Sequence, residues 1–152
     1  MIVSFTGHRE VDEPVAKRSI GEVLDRLEPE WAIVGGAAGA DTLAAEVCWH
    51  LKIPYEMALP HKDYPAHYKL EESKRWWRTF LRAERVIHVM DGEKPFHFSA
   101  NFKRNEYMVD ESDVLVSIST FDPHGEIPAK GGTAHCVRYA RKVGRPIEWA
   151  RT

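Results

Sequence analysis

Cysteine is scarce in this sequence, with only Cys48 and Cys136 among 152 residues. Both fall on the apolar faces of predicted helices, which favours buried, reduced thiols over a disulfide or a metal pair. The eight histidines are scattered, and no pair has the spacing of an established metal motif such as H-E-x-x-H. We therefore expect no disulfide and no bound metal.

Long apolar runs and an excess of charge are also missing. No run approaches the roughly 20 apolar residues that span a bilayer, and no apolar core of a secretory signal follows Met1. The formal net charge of −2 gives no general attraction to nucleic acid or to anionic membranes. We predict a cytoplasmic protein without a membrane contact, and nucleic acid is not expected as its partner. Any phosphate site must therefore be local.

What the chain does contain is a regular alternation of strand and helix patterns. Short apolar runs predict strands at 2–5, 31–34, 54–59, 86–90, 113–118 and 145–149, with amphipathic helices between them. Near-continuous apolar strands are typical of a parallel sheet that is covered on both faces. We predict one α/β domain over residues 1–152, with a mainly parallel sheet of about six strands. An aromatic and basic helical embellishment at 62–85 interrupts the alternation.

A glycine-rich turn follows the second predicted strand, where Gly35, Gly36 and Gly39 lead into Asp41. Glycine leaves room for an incoming anion, and the free N–H groups of a helix that starts near Gly39 would point at it. Asp41 would cap this helix or accept a hydrogen bond from a sugar hydroxyl. A tight connection without a ligand produces the same pattern, and the spacing matches neither G-x-G-x-x-G nor a Walker loop.

Two further polar segments follow predicted strands, namely Gly7-His8-Arg9 and Gly131-Gly132-Thr133. Ligands of open parallel sheets bind at the carboxyl ends of the strands, where the strand order reverses. We expect these segments to meet there and to bind a small phosphorylated ligand. Arg9 or Arg104 would supply a bidentate cation, and Asn105 would contact a base edge or a ribose.

Simpler structural roles are open for some of these residues. His8 is at least as compatible with a bond to nearby backbone, and Arg104 with a salt bridge to Glu106 or Asp110 on a solvated helix face. The Trp76-Trp77 region favours packing of both tryptophans on the sheet, although a lid or a homo-oligomer interface is an alternative.

Three ordered motifs together resemble the SLOG superfamily: Val34 to Asp41, Arg104-Asn105-x-x-Met108, and Gly131-Gly132-Thr133 ahead of Gly144-Arg145-Pro146. This superfamily joins the DNA-processing protein DprA, the cytokinin-activating LOG enzymes and small stand-alone proteins similar to YspA and YpsA. The last group is the most similar, because Thr6-Gly7-His8-Arg9 also matches it. The resemblance implies a Rossmann-like, doubly wound domain that binds a nucleotide or a nucleotide-derived ligand, such as an ADP-ribose or NAD relative. It implies no required cofactor.

Catalysis is less well supported by the resemblance. In LOG-type phosphoribohydrolases and the similar deoxyribosyltransferases, a glutamate three residues after the motif threonine acts at the ribose C1, and this chain has Cys136 there. Arg104 matches the LOG arginine, and Asp41, Glu106 and Glu126 are candidates for the missing acid. We therefore expect a ligand-binding sensor or effector module, and N-glycosidic cleavage or deoxyribosyl transfer is the alternative that the sequence leaves open.

DprA-like binding of single-stranded DNA is the third hypothesis. A local basic and aromatic patch would serve it, made of Lys69, Lys74, Arg75, Trp76, Trp77, Arg78 and Arg82. The slightly acidic balance of the chain argues against this function.

Overall fold

A computed structural model describes residues 1–62, 68–90 and 98–152 of the chain. The strands are β1 (Ile2–Gly7), β2 (Trp31–Val34), β3 (Tyr55–Leu59), β4 (Arg85–His88), β5 (Val114–Ile118) and β6 (Ile147–Ala150). The helices are α1 (Glu13–Leu27), α2 (Ala40–His50), α3 (Leu70–Arg82), α4 (Phe98–Asp110) and α5 (Gly132–Val143). All six strands form one parallel sheet in the order β4-β3-β2-β1-β5-β6. The predicted Rossmann-like α/β fold is confirmed.

Local sequence signals set the ends of the helices. The Asp12 side chain accepts a hydrogen bond from the Val15 amide at 3.2 Å, which satisfies one of the free N–H groups at the start of α1. Gly144 ends α5 in the left-handed conformation, at φ 73°. Both residue types are typical of these positions at the ends of helices.

Helices cover both faces of the sheet. Helices α1, α2 and α3 neighbour one another on one face, and α4 packs against α5 on the other. Every residue of β3 and β5 is buried, which explains why these strands are near-continuous apolar runs. Cys48 lies in the core of the first face and Cys136 in the core of the second, both as buried free thiols. The expected burial of the reduced cysteines is confirmed.

The strand order reverses between β1 and β5. The chain steps outward from β1 to β4 and then crosses to β5, on the other side of β1. The connections after β1 and β5 therefore leave the sheet toward opposite faces, and a crevice opens between them.

Helix α3 is the crossover between the parallel strands β3 and β4. Trp76 is buried against the sheet, as predicted, whereas Trp77 remains 50% exposed. The prediction that both tryptophans pack inward is therefore wrong for Trp77. Residues 63–67 of the predicted embellishment lie outside the described residues, as do residues 91–97.

The described ranges contain no helix that is long and apolar enough to cross a bilayer. They also contain no group of three or more His, Cys, Asp or Glu side chains that could hold a metal ion. The expectation of a metal-free protein stays a prediction.

Candidate ligand-binding site

A cavity of about 490 Å³ lies at the carboxyl ends of β1 and β5, where the strand order reverses. Its walls come from the segment after β1 and from α2, α4 and the start of α5. Most of the predicted ligand-binding residues line it: Gly7, His8, Arg9, Asp41, Arg104, Asn105, Gly131, Gly132 and Thr133. The fold thus brings together segments that are more than a hundred residues apart. Gly35, Gly36 and Gly39 are not in the lining.

The start of α5 is open toward the cavity. Gly131 precedes the helix at φ 106°, and none of the described side chains caps the first turn. A Cβ at Gly131 would meet no atom within 4 Å, and one at Gly132 would meet only the Asn105 Nδ2, at 3.8 Å. The backbone amides at this end are therefore accessible, and the helix dipole favours an anion beside them.

Arg104 points inward from α4 and is buried. Its Nη1 donates to the carbonyl oxygen of Gly35 and, at 3.4 Å, to that of Ala58, while its Nε donates to the Asn105 Oδ1 at 3.0 Å. Asn105 in turn donates from Nδ2 to the Gly132 carbonyl at 3.2 Å. The alternative of a solvated salt bridge for Arg104 is therefore wrong. Within the described part of the chain, its Nη2 has no hydrogen-bond partner.

Asp41 is a buried carboxylate beside this arginine. Its Oδ2 accepts a hydrogen bond from the Ala37 amide at 3.1 Å. Burial raises the pKa of Asp41, and the charges of Arg104 and Arg9 and the Ala37 hydrogen bond only partly oppose this rise. A Cβ at Gly35 would lie 2.7 Å from the Asp41 Oδ2 and 2.9 Å from the Arg104 Nη1. Gly35 therefore makes room for the Asp41 and Arg104 side chains, and a ligand role for it stays a prediction.

The start of α2 is closed by the protein's own backbone. The Ala40 amide donates to the His8 carbonyl at 3.0 Å, and a Cβ at Gly39 would overlap the Arg9 carbonyl. Because Gly39 is at φ 80°, it also holds a conformation that other residues rarely adopt. Close packing of the chain thus accounts for Gly39, and a ligand role for it stays a prediction.

Gly36 lies behind the cavity, at φ 73°. Its carbonyl accepts hydrogen bonds from the Trp76 Nε1 at 2.9 Å and from the Tyr68 hydroxyl at 3.0 Å. The glycine-rich turn is thereby attached to α3, and the carbonyl of Gly36 is turned away from the cavity.

His8 is held by the segment after β5. Its Nε2 accepts a hydrogen bond from the Thr120 amide at 3.3 Å, and its ring meets the ring of Phe121 edge to face at 5.1 Å. The expected backbone bond is present, but it comes from a segment distant in sequence. His8 still forms part of the cavity wall.

Two of the four catalytic candidates, Asp41 and Arg104, line the cavity, and the other two do not. Glu106 lies 3.6 Å from the His135 Nε2, and Glu126 is exposed between β5 and α5. Cys136, at the position of the LOG-type glutamate, is fully buried, and burial raises its pKa to about 12. Such a thiol is not an activated nucleophile.

Sequence reasoning missed Asn101 and Phe102, which line the cavity from the first turns of α4. The Oδ1 of Asn101 is buried without a hydrogen-bond partner among the described residues. Phe102 is partly exposed and stacks on His135, with ring centroids 4.3 Å apart. The available signal was the spacing of Asn101 and Asn105, because residues four apart share one helix face.

The same architecture occurs in several solved structures. DNA processing protein A from Helicobacter pylori, described with a single-stranded DNA binding mode, superposes with a TM-score of 0.70 at 19% identity. The match covers 98% of this chain and 64% of that one. The Streptococcus pneumoniae protein, DprA, gives 0.72 at 16% identity over 97% of this chain and 49% of its own. The molybdenum cofactor carrier protein of Chlamydomonas reinhardtii gives 0.61 at 15% identity, over 99% and 77%. At these identities the likeness shows a shared fold, and this chain spans less than two thirds of the two DNA-processing proteins.

Sequence comparison gives a nearer relationship. The SPbeta prophage-derived protein YoqJ of Bacillus subtilis (strain 168) is 34% identical over 142 residues, covering 82% of this chain and 77% of YoqJ. The model of the YspA SLOG family matches residues 11–150, which include every segment around the cavity except the one after β1. The chain therefore belongs to the YspA SLOG family.

Proposed function

We propose that the protein binds a phosphorylated nucleotide or nucleotide-derived ligand in this cavity and acts as a sensor or effector module. The proposal rests mainly on one observation: the same cavity is lined by the N-terminus of a helix without a side-chain cap and by two neighbouring buried side chains, Arg104 and Asp41. The first feature suits a phosphate, and the second suits the polar groups of a nucleoside.

The phosphate end of the ligand is assigned to the start of α5. Accessible amides at Gly132 and Thr133 and the positive end of the helix dipole favour an anion there. Arg9 is an exposed cation that also lines the cavity, and none of the described carboxylates forms an ion pair with it. With Arg104, the site holds two arginines against the single carboxylate Asp41.

The nucleoside end is assigned to the walls formed by α2 and α4. Asp41, when ionised, and the Asn101 Oδ1 are both acceptors that face the cavity, and the second has no partner among the described residues. Ribose hydroxyls and exocyclic amines of bases are the donors that would satisfy them. The partly exposed ring of Phe102 offers apolar surface to a base.

A thermal-shift screen tests this assignment with AMP, ADP-ribose, NAD, deoxynucleotides and cyclic dinucleotides. A ligand that binds the native state raises the melting temperature as its concentration exceeds the Kd. Arg9→Gln should weaken binding of the stabilising compound by roughly tenfold or more, because a charge-assisted hydrogen bond is lost. The matched control is Arg18→Gln, an exposed arginine that lines a different cavity beside α1. No stabilisation by any compound, or equal losses in both variants, would contradict the proposal.

N-glycosidic cleavage of a nucleotide is the second candidate, because Asp41 places a carboxylate with a raised pKa in the cavity. A carboxylate beside the ribose C1 is what this reaction type requires. Chromatography for free base after incubation with nucleoside monophosphates decides between the two functions. Release by the native protein but not by Asp41→Asn would establish the enzyme, and no release would leave binding alone.

Single-stranded DNA is tested separately as a ligand, because the structurally similar Helicobacter pylori protein is described with a single-stranded DNA binding mode. The predicted DNA patch is weaker than the sequence suggests, since Trp76 is buried and Arg75 forms ion pairs with Glu13 and Glu46. We expect no binding of a single-stranded oligonucleotide beyond that of a mononucleotide. Tighter binding that falls steeply with salt would favour a DNA-binding function instead.

A further inference from the structure

Helix α3 carries an apolar stripe that no described element covers. Leu70, Trp77 and Leu81 are 70%, 50% and 78% exposed, and Lys74 lies among them on the same side of the helix. The spacings of seven and four residues align these side chains along one face, opposite the buried Trp76. Large apolar side chains that are exposed side by side mark an interaction surface more often than isolated exposed residues do.

Trp77 is already held in place for such a contact. Its ring meets those of Trp76 and Phe80 edge to face, with centroids 4.9 Å and 5.1 Å away. Trp76 is itself fixed by its hydrogen bond to the Gly36 carbonyl. A half-exposed tryptophan with a restricted ring is a good anchor, because little side-chain entropy is lost on binding.

We propose that this stripe docks against the same stripe of a second copy of the chain, with the two α3 helices antiparallel. When Leu70 faces the partner's Leu81, the reversed direction brings Lys74 opposite the partner's Trp77. Each of these contacts occurs twice because the interface is isologous. Leucine pairs then close the two ends, and two cation–π contacts lie at the centre.

The charges beside the stripe select the antiparallel direction. Glu71 and Arg78 flank the stripe on the same side, and both are exposed. In the antiparallel pair the two-fold axis is perpendicular to both helices. The flank that carries Glu71 and Arg78 therefore lies beside the same flank of the partner helix, and the two residues follow in the reverse order along it. At a rise of about 1.5 Å per residue, Glu71 then lies about 3 Å along the axis from the partner's Arg78. In a parallel pair the two-fold axis runs along the helices and places the two flanks on opposite sides of the interface, so Glu71 and Arg78 would not meet the partner's charges.

The expected association is weak. A helix of 13 residues is about 20 Å long, so one helix pair buries less than the roughly 1,200 Å² of a stable interface. We therefore expect a dimer that forms at micromolar or higher concentration.

Sedimentation equilibrium over about 10 to 500 µM protein tests the proposal. The native protein should pass from monomer to dimer in this range, and Leu81→Glu should stay monomeric throughout. The matched control is Val143→Glu, a similarly drastic change at a 43% exposed residue at the end of α5, which should dimerise normally. A native protein that is monomeric at every concentration, or equal loss in both variants, would overturn the assignment.

Charge-reversal variants give a second test, whose result cannot be explained by a variant that fails to fold. Glu71→Arg alone and Arg78→Glu alone should each weaken self-association by roughly tenfold, because each sets like charges together twice. Mixing the two variants should restore a heterodimer, in which every arginine again faces a glutamate. No recovery on mixing would refute the antiparallel geometry. The ligand variant Arg9→Gln should dimerise like the native protein, so failure of the proposed function would not be mistaken for failure of this interface.

Discussion

Replacing Gly35 with alanine should destabilise the protein through the charged pair beside the cavity. The new methyl group would lie 2.7 Å from the Asp41 Oδ2 and 2.9 Å from the Arg104 Nη1. Both atoms are tethered, because Asp41 accepts the Ala37 amide and Arg104 donates to the carbonyl of Gly35 itself. Neither side chain can retreat without lengthening a buried hydrogen bond.

The expected loss in the free energy of unfolding is about 1–3 kcal/mol, the usual cost of forcing one methyl group into a filled space. For a chain of this length, 1 kcal/mol corresponds to about 2–4 °C in Tm, so the melting temperature should fall by about 2–12 °C. The same chemical change at Gly21, within α1, should act in the opposite direction. A Cβ there meets no atom within 4 Å, and alanine favours the helix by about 0.5–1 kcal/mol.

Urea unfolding of both variants measures these effects. A double-mutant cycle with Asp41→Ala then identifies the cause, because removing the carboxylate should relieve at least about 0.5 kcal/mol of the Gly35→Ala penalty. Two results would refute this explanation. Gly35→Ala could have the same free energy of unfolding as the native protein, or its destabilisation could be the same with and without the Asp41 carboxylate. In either case the methyl group at position 35 does not crowd Asp41 and Arg104.

Three further predictions concern groups around the same site. Burial raises the pKa of Asp41 above its usual 3.8, so the native protein should lose stability as pH rises above about 4 and the buried side chain ionises. The free energy of unfolding of Asp41→Asn, measured with urea, should therefore exceed that of the native protein by an amount that grows with pH. Burial lowers the pKa of His135 below its usual 6.5, so the native protein should lose stability as pH falls below that value. Melting temperatures measured over a pH series should show this loss for the native protein but not for His135→Gln. Trp76→Phe keeps an aromatic ring but removes the donor to the Gly36 carbonyl. Chemical denaturation should show that the free energy of unfolding falls by about 1–3 kcal/mol. An unchanged midpoint would mean that the hydrogen bond from Tyr68 alone satisfies this carbonyl.

The order of elements was predictable because burial leaves a direct trace in the sequence. Strands buried on both faces, such as β3 and β5, are near-continuous apolar runs, broken only by Glu56 and Ser117. The polar segments after β1 and β5 were correctly expected at one edge, since the carboxyl ends of parallel strands coincide. The resemblance to the SLOG superfamily was confirmed by the match to residues 11–150.

The roles of individual residues were harder to predict because they depend on distant partners. Arg104 could face solvent or the core, and its inward direction depends on acceptors that are distant in sequence, the carbonyls of Gly35 and Ala58. Trp76 and Trp77 differ by about 100° around a helix, and the sequence does not fix which of the two angles meets the sheet. Asn101 was overlooked because an asparagine in a first helical turn usually serves the local backbone.

The crossing of the chain at Gly39 changes how relatives of this protein should be compared. A side chain at this position would push away the segment that carries Arg9, so any protein with this crossing needs glycine there in order to fold. Evolutionary retention of that glycine thus reports the path of the backbone, even in a homologue that has lost its ligand. If the proposed function is correct, homologues that share a ligand should instead share the residues at positions 9, 101 and 131–133.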